Sequence, residues 1–420
     1  MKATIVNIGD ELLIGQVVNT NAARMSQMLT AAGIEVVQTM VCGDNVEDIE
    51  ACVARGLQAG NVVLMTGGLG PTKDDITKHT LCRLFGSELY ENEAALDNVR
   101  RIFAKRGYEL TDINRRQSWV PRCCTTIVNT VGTAPCMWFD NGRFASYDMT
   151  GKVLVSMPGV PFEMEHLMQT EVVPRLRAYF KMDAIVTKNI LVQGIGESFL
   201  SDLIESWETS LPKNIRLAYL PVAGMVKLRL TAQGTDEEVL RKQVADAVER
   251  LYPIAKQYIV GEDAETLAEL VAARFKDSGR TLAVAESCTG GSIVAGLTAL
   301  AGASQYVKGG VVAYSNEVKM AVLGVKKETL EAHGAVSEET VREMVEGVRQ
   351  RLGADYAVAT TGIAGPGGGT PDKPVGTVWV GLATPTMTFA KCMHYSGPRQ
   401  QIINRTCNEA YAWLLREAKF

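Results

Sequence analysis

Residues 283–292 read Ala-Val-Ala-Glu-Ser-Cys-Thr-Gly-Gly-Ser. The apolar run Thr281–Ala285 feeds directly into Glu286, Ser287, Cys288 and Thr289, and an apolar helical pattern follows through Leu300. The spacing predicts a buried strand, a tight turn and a helix N-terminus. Such a turn sets a hydroxyl or thiol beside unpaired backbone N–H groups and the positive end of a helix dipole. A nucleophile needs that environment when negative charge builds on a substrate oxygen. A glycine-rich phosphate cradle without chemistry has the same signature. This stretch alone leaves both readings open.

Working outward, residues 264–420 alternate helix and strand on either side of this turn. Strands are expected at Gly310–Tyr314, Tyr356–Thr361 and Gly376–Ala383, with a closing helix from about Arg399. Residues 3–85 have a βαβαβ rhythm, with strands at Thr4–Ile8, Ile34–Val41 and Val62–Met65. That rhythm predicts a parallel sheet with helices on both faces and a ligand site at the strands' carboxyl ends. Glu91–Arg106 reads as a charged surface helix, and Lys152–Met157 as a further strand leading to a helix that ends near Phe180. Residues 185–258 read as a small α+β module, and Gly261-Glu262-Asp263 as a linker.

The 420 residues allow two to four domains with real cores. Hydrophobic residues make up 46% and the formal net charge is -4, which gives no general reason to expect nucleic acid or an anionic membrane as partner. No apolar run approaches the roughly 20 residues of a membrane span, and the first residues lack a signal-peptide core. Nine cysteines, an odd number without a CxxC pair, point to reduced thiols in the cytoplasm. The four histidines are His79, His166, His333 and His394, none at ligand spacing with another. A base for Ser287 must therefore be sought elsewhere.

Lys319, just past an expected strand end, is the candidate base. A lysine can deprotonate a serine if burial lowers its pKa from about 10.4 towards about 7–8. Tyr314 could orient that lysine or donate to an oxyanion, and Cys288 is the rival nucleophile. A second glycine-rich loop, Thr360–Gly369, could embrace a phosphate or ribose or simply be a strand exit. In the first block, Thr66-Gly67-Gly68-Leu69-Gly70-Pro71 follows a buried strand and precedes Thr72, Asp74 and Asp75. Asp10 and Glu11 end the first strand at the same expected edge. Two acidic pairs and a phosphate loop suggest metal-assisted phosphate chemistry or nucleotide binding, and helix capping is the plain alternative. In the middle block, Gly194-Ile195-Gly196-Glu197 has the outline of a KH clamp, but the neighbours Glu197 and Asp202 are acidic, which argues against RNA.

Taken in order, these blocks resemble the competence/damage-inducible protein A (CinA) family over essentially the whole chain. The resemblance rests on Gly9-Asp10-Glu11-Leu12-Leu13, Asn19-Thr20-Asn21, Thr66–Thr72 with Asp74-Asp75, and Pro158-Gly159-Val160-Pro161 with Glu163-Met164. It also rests on Glu286–Gly291, Tyr314-Ser315-Asn316 with Lys319, Gly334–Ser337 and Thr361–Pro366. It implies an α/β chain of three domains: a molybdopterin-binding-like domain over 1–180, a KH-like α+β domain over 181–260 and a deamidase domain over 261–420. The implied activities are hydrolysis of nicotinamide mononucleotide to its carboxylate with release of ammonia, and cleavage of ADP-ribose with a divalent metal. The implied form is a cytoplasmic homodimer. On matching positions, Ser287 is the nucleophile, Lys319 its base and Tyr314 their partner. Thr289, Gly290, Gly291, Thr361, Gly362, Ala364 and Gly365 would hold the mononucleotide. Asn21, Gly67, Gly68, Gly70 and Thr72 would hold the other ligand, and Asp10, Glu11, Asp74 and Asp75 the metal. The chain departs from the family pattern at Cys136, where glycine is usual, and in Pro121–Thr126.

Overall fold

The computed structural model describes residues 1–72, 75–140, 143–144 and 147–418. It comprises two compact units, Met1–Ile185 and Val186–Phe420.

In the first unit a six-stranded sheet runs in the order Glu35–Cys42, Lys2–Ile8, Val62–Thr66, Val153–Met157, Cys136–Asp140, Thr125–Ile127. The first four strands are parallel, as the sequence rhythm predicts. The last two are antiparallel, so the sheet is mixed. Helix Thr20–Ala31 presents Ala22, Met25 and Leu29 to one face, against Ile5, Leu64 and Val155. Helix Val46–Ala59 presents Ile49, Val53 and Leu57 to the other, against Val6, Val63 and Leu154. Each helix starts at an asparagine cap: Asn19 accepts from Ala22 N at 3.0 Å and Asn45 from Asp48 N at 2.9 Å. Helix Glu93–Lys105 is amphipathic: it exposes Glu93, Asp97, Arg100 and Lys105, as a charged surface helix should, and buries Ala95, Leu96, Val99 and Ile102 on its other face. The parallel register (Asn7 beside Thr66, Ser156 beside Met65) ends the central strands at one edge, where the loops after residues 8, 66 and 157 converge.

The second unit holds two sheets. The smaller has the order Ile215–Val222, Met225–Gly234, Ala184–Gln193, Ile259–Glu262. Residues read as a linker are thus partly a strand, with Gly261 paired to Leu191. Helices Glu197–Thr209 and Glu237–Ala255 accompany this sheet and are tied together by Trp207 Nε1, which donates to Ala247 O at 2.8 Å.

The larger sheet has the order Val307–Val312, Leu282–Glu286, Tyr356–Gly362, Thr377–Ala383, Thr388–His394. Its first three strands are parallel and the rest antiparallel. The central strand Leu282–Glu286 is buried throughout. On one face Val284, Val358 and Val380 pack with Phe275 and the helix Arg399–Glu417. On the other, Ala283, Ala285, Ala357 and Ala359 meet Val341, Met344, Val345 and Val348 of helix Glu338–Arg351. That row of small residues lets the helix lie close, and a Cβ on Gly381 would stand 2.9 Å from Val341 O.

Phe275 is fully buried between Tyr306 and Tyr356, with ring centroids 6.1 and 5.6 Å away. Phe275→Ala should destabilise this unit by about 3–5 kcal/mol. Urea unfolding followed by tryptophan fluorescence checks this, and an unchanged midpoint would contradict it.

Candidate functional site

The strand Leu282–Glu286 delivers Ser287 at its carboxyl end, where Ser287 N donates to Thr360 O at 2.9 Å. Gly291 has φ +99°, which lets the chain reverse into the helix Ser292–Thr298. Lys319 follows the helical turn Asn316–Val318 and is 1% exposed. Its Nζ lies 3.1 Å from Ser287 Oγ, 2.9 Å from Ala313 O and 3.4 Å from Tyr314 O. The two carbonyls can only accept. In the neutral amine they would take both hydrogens and leave its lone pair for the serine hydroxyl. Burial pushes the Lys319 pKa down, opposed by electrostatic interaction with Cys288 and Glu317. Among the described residues no carboxylate forms an ion pair with it. Cys288 is buried and its thiol is pushed up to about 12, chiefly by desolvation, which removes it as a thiolate nucleophile near neutrality.

These groups open on a cavity of ≈210 Å³, also lined by Thr361, Gly362, Ala364, Ala335 and Val336. Tyr314 lines it too, but its phenol is bonded to a group other than Lys319. The oxygen accepts from Arg399 Nη2 at 3.0 Å, so Tyr314 touches the lysine through its main-chain carbonyl. Arg399 was not foreseen from the sequence. Its Nη1 donates to Gly365 O at 2.8 Å, and its guanidinium is the exposed cation of the cavity. Thr289, Gly290 and Gly291 do not line the cavity. Thr289 Oγ1 bonds Thr360 Oγ1 at 2.7 Å. Gly290 N donates to Ser287 O at 3.1 Å and Gly291 N to Glu286 Oε2 at 3.0 Å. The two glycine amides are consumed by the turn itself, which corrects the expectation that they face a ligand anion.

In the first unit, a cavity of ≈470 Å³ sits at the carboxyl ends of the parallel strands, lined by Asn21, Gly67, Gly68, Gly70, Thr72 and Asp75. Gly67 has φ +111°, and a Cβ there would meet Ile8 O at 2.2 Å. Asn21 Nδ2 donates to Gly159 O at 2.8 Å. Asp75 serves its own loop, accepting from Gly70 N at 2.7 Å and from Thr72 N at 2.8 Å. Asp74 lies outside the described residues. Glu11 and Asp44 line the cavity, and Asp10 and Asp44 exchange backbone-to-carboxylate bonds of 3.0 and 3.2 Å. Asp44 was missed in the sequence, although it ends the second strand much as Asp10 ends the first. Burial raises its pKa, helped by the negative charges of Asp10, Glu11 and Asp75 and opposed by the Asp10 amide. Among the described residues no three His, Cys, Asp or Glu side chains converge as a metal cage. An acidic rim of this kind fits a magnesium-like ion, which binds through one or two carboxylates and its ligand's phosphates. Cys136 is buried in the core beside Trp138, and Thr125–Ile127 forms the sheet's edge strand, so neither departure from the family pattern lines the cavity.

Comparison with known proteins places these sites in context. The chain is 41% identical over 421 residues to a CinA-like protein of Flavobacterium psychrophilum, covering 99% of this chain and 98% of that one. The chain belongs to the CinA family. A putative competence-damage inducible protein of Caldanaerobacter subterraneus is 38% identical over 99% of this chain and 98% of its own. Residues 4–178 match a probable molybdopterin binding domain, 187–261 the damage-inducible protein CinA KH domain, and 264–418 the CinA C-terminal domain. This CinA-family chain therefore has three domains in a mixed α/β architecture. The crystal structure of competence damage-inducible protein A from Klebsiella pneumoniae is 40% identical, covering 36% of this chain and 94% of its own, with a TM-score of 0.35. No helix among the described residues is long and apolar enough to cross a membrane.

The burial of Lys319 gives a direct prediction. Its ammonium should titrate below the ordinary lysine value of about 10.4. Nitrogen NMR of labelled lysine, with Lys319→Arg to assign the signal, checks this. A midpoint at or above the ordinary value would contradict the site as drawn.

Proposed function

We propose that the C-terminal domain is a serine amidohydrolase acting on nicotinamide mononucleotide. One observation carries the reading: Lys319 Nζ stands 3.1 Å from Ser287 Oγ, and its other two partners are main-chain carbonyls. As Ser287 Oγ attacks the carboxamide carbon, Lys319 takes the hydroxyl proton. The tetrahedral intermediate collapses, Lys319 returns that proton to the amide nitrogen, and ammonia leaves. Water then attacks the Ser287 ester, Lys319 accepts its proton, and nicotinic acid mononucleotide is released with Ser287 restored. A cavity of ≈210 Å³ suits a ring carboxamide with the ribose and phosphate reaching its mouth, where exposed Arg399 offers a counter-charge.

For the first domain the proposal is cleavage of the diphosphate of ADP-ribose. Glu11 and Asp44, the rim carboxylates that line the cavity, would hold a divalent cation together with the phosphates, where it would neutralise developing charge. Binding of a nucleotide or molybdopterin without turnover is the second reading, favoured by the commitment of Asp75 to its own loop. The working form is taken as a cytoplasmic homodimer.

Ser287→Ala should reduce ammonia release from nicotinamide mononucleotide to background, and Lys319→Ala should lower it by about 10²–10⁴-fold. Cys288→Ala should stay within a few-fold of wild type. Release by Ser287→Ala at the wild-type rate would refute the mechanism. EDTA should abolish ADP-ribose cleavage, and cleavage that survives chelation would leave the acidic rim without its role.

A further inference from the structure

The helix that follows the nucleophile is closed by a carboxylate from the strand that precedes it. Glu286 is 1% exposed. Its Oε2 accepts from Gly291 N at 3.0 Å and Ile293 N at 3.1 Å, and its Oε1 from Val294 N at 2.9 Å. These are the amides that a helix start otherwise offers to an anion. The negative charge also answers the positive helix end. Tyr411 supports the same turn of helix, donating to Ile293 O at 2.7 Å. With Gly290 N spent on Ser287 O, the amides of Cys288 and Thr289 are the two in the turn with no oxygen acceptor among the described residues, the Cys288 amide lying beside its own thiol. Cys288 lines the cavity beside Ser287. The amide directly after a nucleophile is where many hydrolases stabilise an oxyanion.

We propose that Glu286 is a positioning residue for Ser287: its carboxylate ties down residues 291–294, and so fixes the turn that aims the serine hydroxyl and the Cys288 amide at one carbonyl group. This rests on the amidohydrolase reading above and deepens it. The turn acts on the oxyanion of the reaction and leaves the ligand's phosphate to the cavity mouth. A glutamine at 286 keeps the size but has one acceptor oxygen, so its NH₂ would face at least one amide donor. An aspartate keeps the charge and both acceptors on a shorter stem.

The test compares Glu286→Gln and Glu286→Asp with wild type in the full chain. Oxyanion contacts form in the transition state, so kcat for nicotinamide mononucleotide should fall at least about tenfold in Glu286→Gln while KM stays within about twofold. Glu286→Asp should recover part of kcat. An unchanged kcat would overturn the proposal, as would a raised KM at constant kcat, which would mark the turn as a phosphate site. Should Glu286→Gln fail to fold, Glu286→Asp carries the same comparison, with kcat expected between wild type and a tenfold loss. Labelling by a fluorophosphonate probe separates this inference from the choice of substrate. There the Ser287 Oγ–P bond forms, the P–F bond breaks, fluoride leaves and the serine proton passes to Lys319. Wild-type protein that labels but releases no ammonia would refute the substrate alone. Glu286 variants that label as fast as wild type would refute the positioning role.

Discussion

A lysine nitrogen held out of water between one hydroxyl and two carbonyl oxygens sets the terms for the C-terminal domain. A buried ammonium with only neutral partners is costly, and each pKa unit of depression corresponds to about 1.4 kcal/mol of preference for the neutral amine. The fold creates that cost and puts it to use. The central strand Leu282–Glu286 carries Ser287, and the neighbouring strand Val307–Val312 leads to Ala313 and Tyr314, whose carbonyls receive the lysine. Parallel pairing in register, Glu286 beside Val312, brings residues 32 apart in sequence within one hydrogen bond.

The first unit solves a different problem. Its cavity lies at the end of a parallel sheet, open to solvent, with carboxylates crowded at the rim and a glycine loop held in shape by Asp75. Glu11 there is exposed, Asp44 and Asp75 are half-buried, and the charges are mutually repulsive. Under the proposed function, the first cavity would receive a ligand that arrives with phosphates and a cation, and the second a neutral amide brought to a buried serine. The difference follows from burial: Lys319 is sealed, and Glu11 is in water.

Much of this was legible in the sequence where apolar runs are long and flanked by turn residues. The buried strands around Ile5, Leu64, Val155, Val284 and Val358 announce themselves. Two of the edge strands do not. Thr388–His394 mixes Lys391 and His394 with half-buried residues, and Ile259–Glu262 hides behind a glycine and two acids. These two strands contain no fully buried residue and so carry no clear pattern. At the site, scarcity of histidine made Lys319 conspicuous, and the neighbouring motifs fixed Ser287. Arg399 left no signal, because its role arises only when distant elements meet, and Asp44 had only its place two residues past the second strand. Glu286 was read as part of a motif, yet its three amide bonds depend on the reversal at Gly291, which spacing does not reveal. The glycines of the turn were over-read for the same reason: a free amide in a motif becomes an occupied one when a carboxylate folds back on it.

The central claim is that Ser287, and no other residue, becomes acylated. It is tested most directly by mixing the protein with excess nicotinamide mononucleotide, quenching in acid within milliseconds to seconds, and mapping any covalent adduct by peptide mass spectrometry. The account predicts an ester of nicotinic acid mononucleotide on the peptide containing Ser287, with fragment ions placing it on the serine oxygen. An adduct on Cys288, or turnover without an adduct even when water attack is slowed by low temperature, would contradict it.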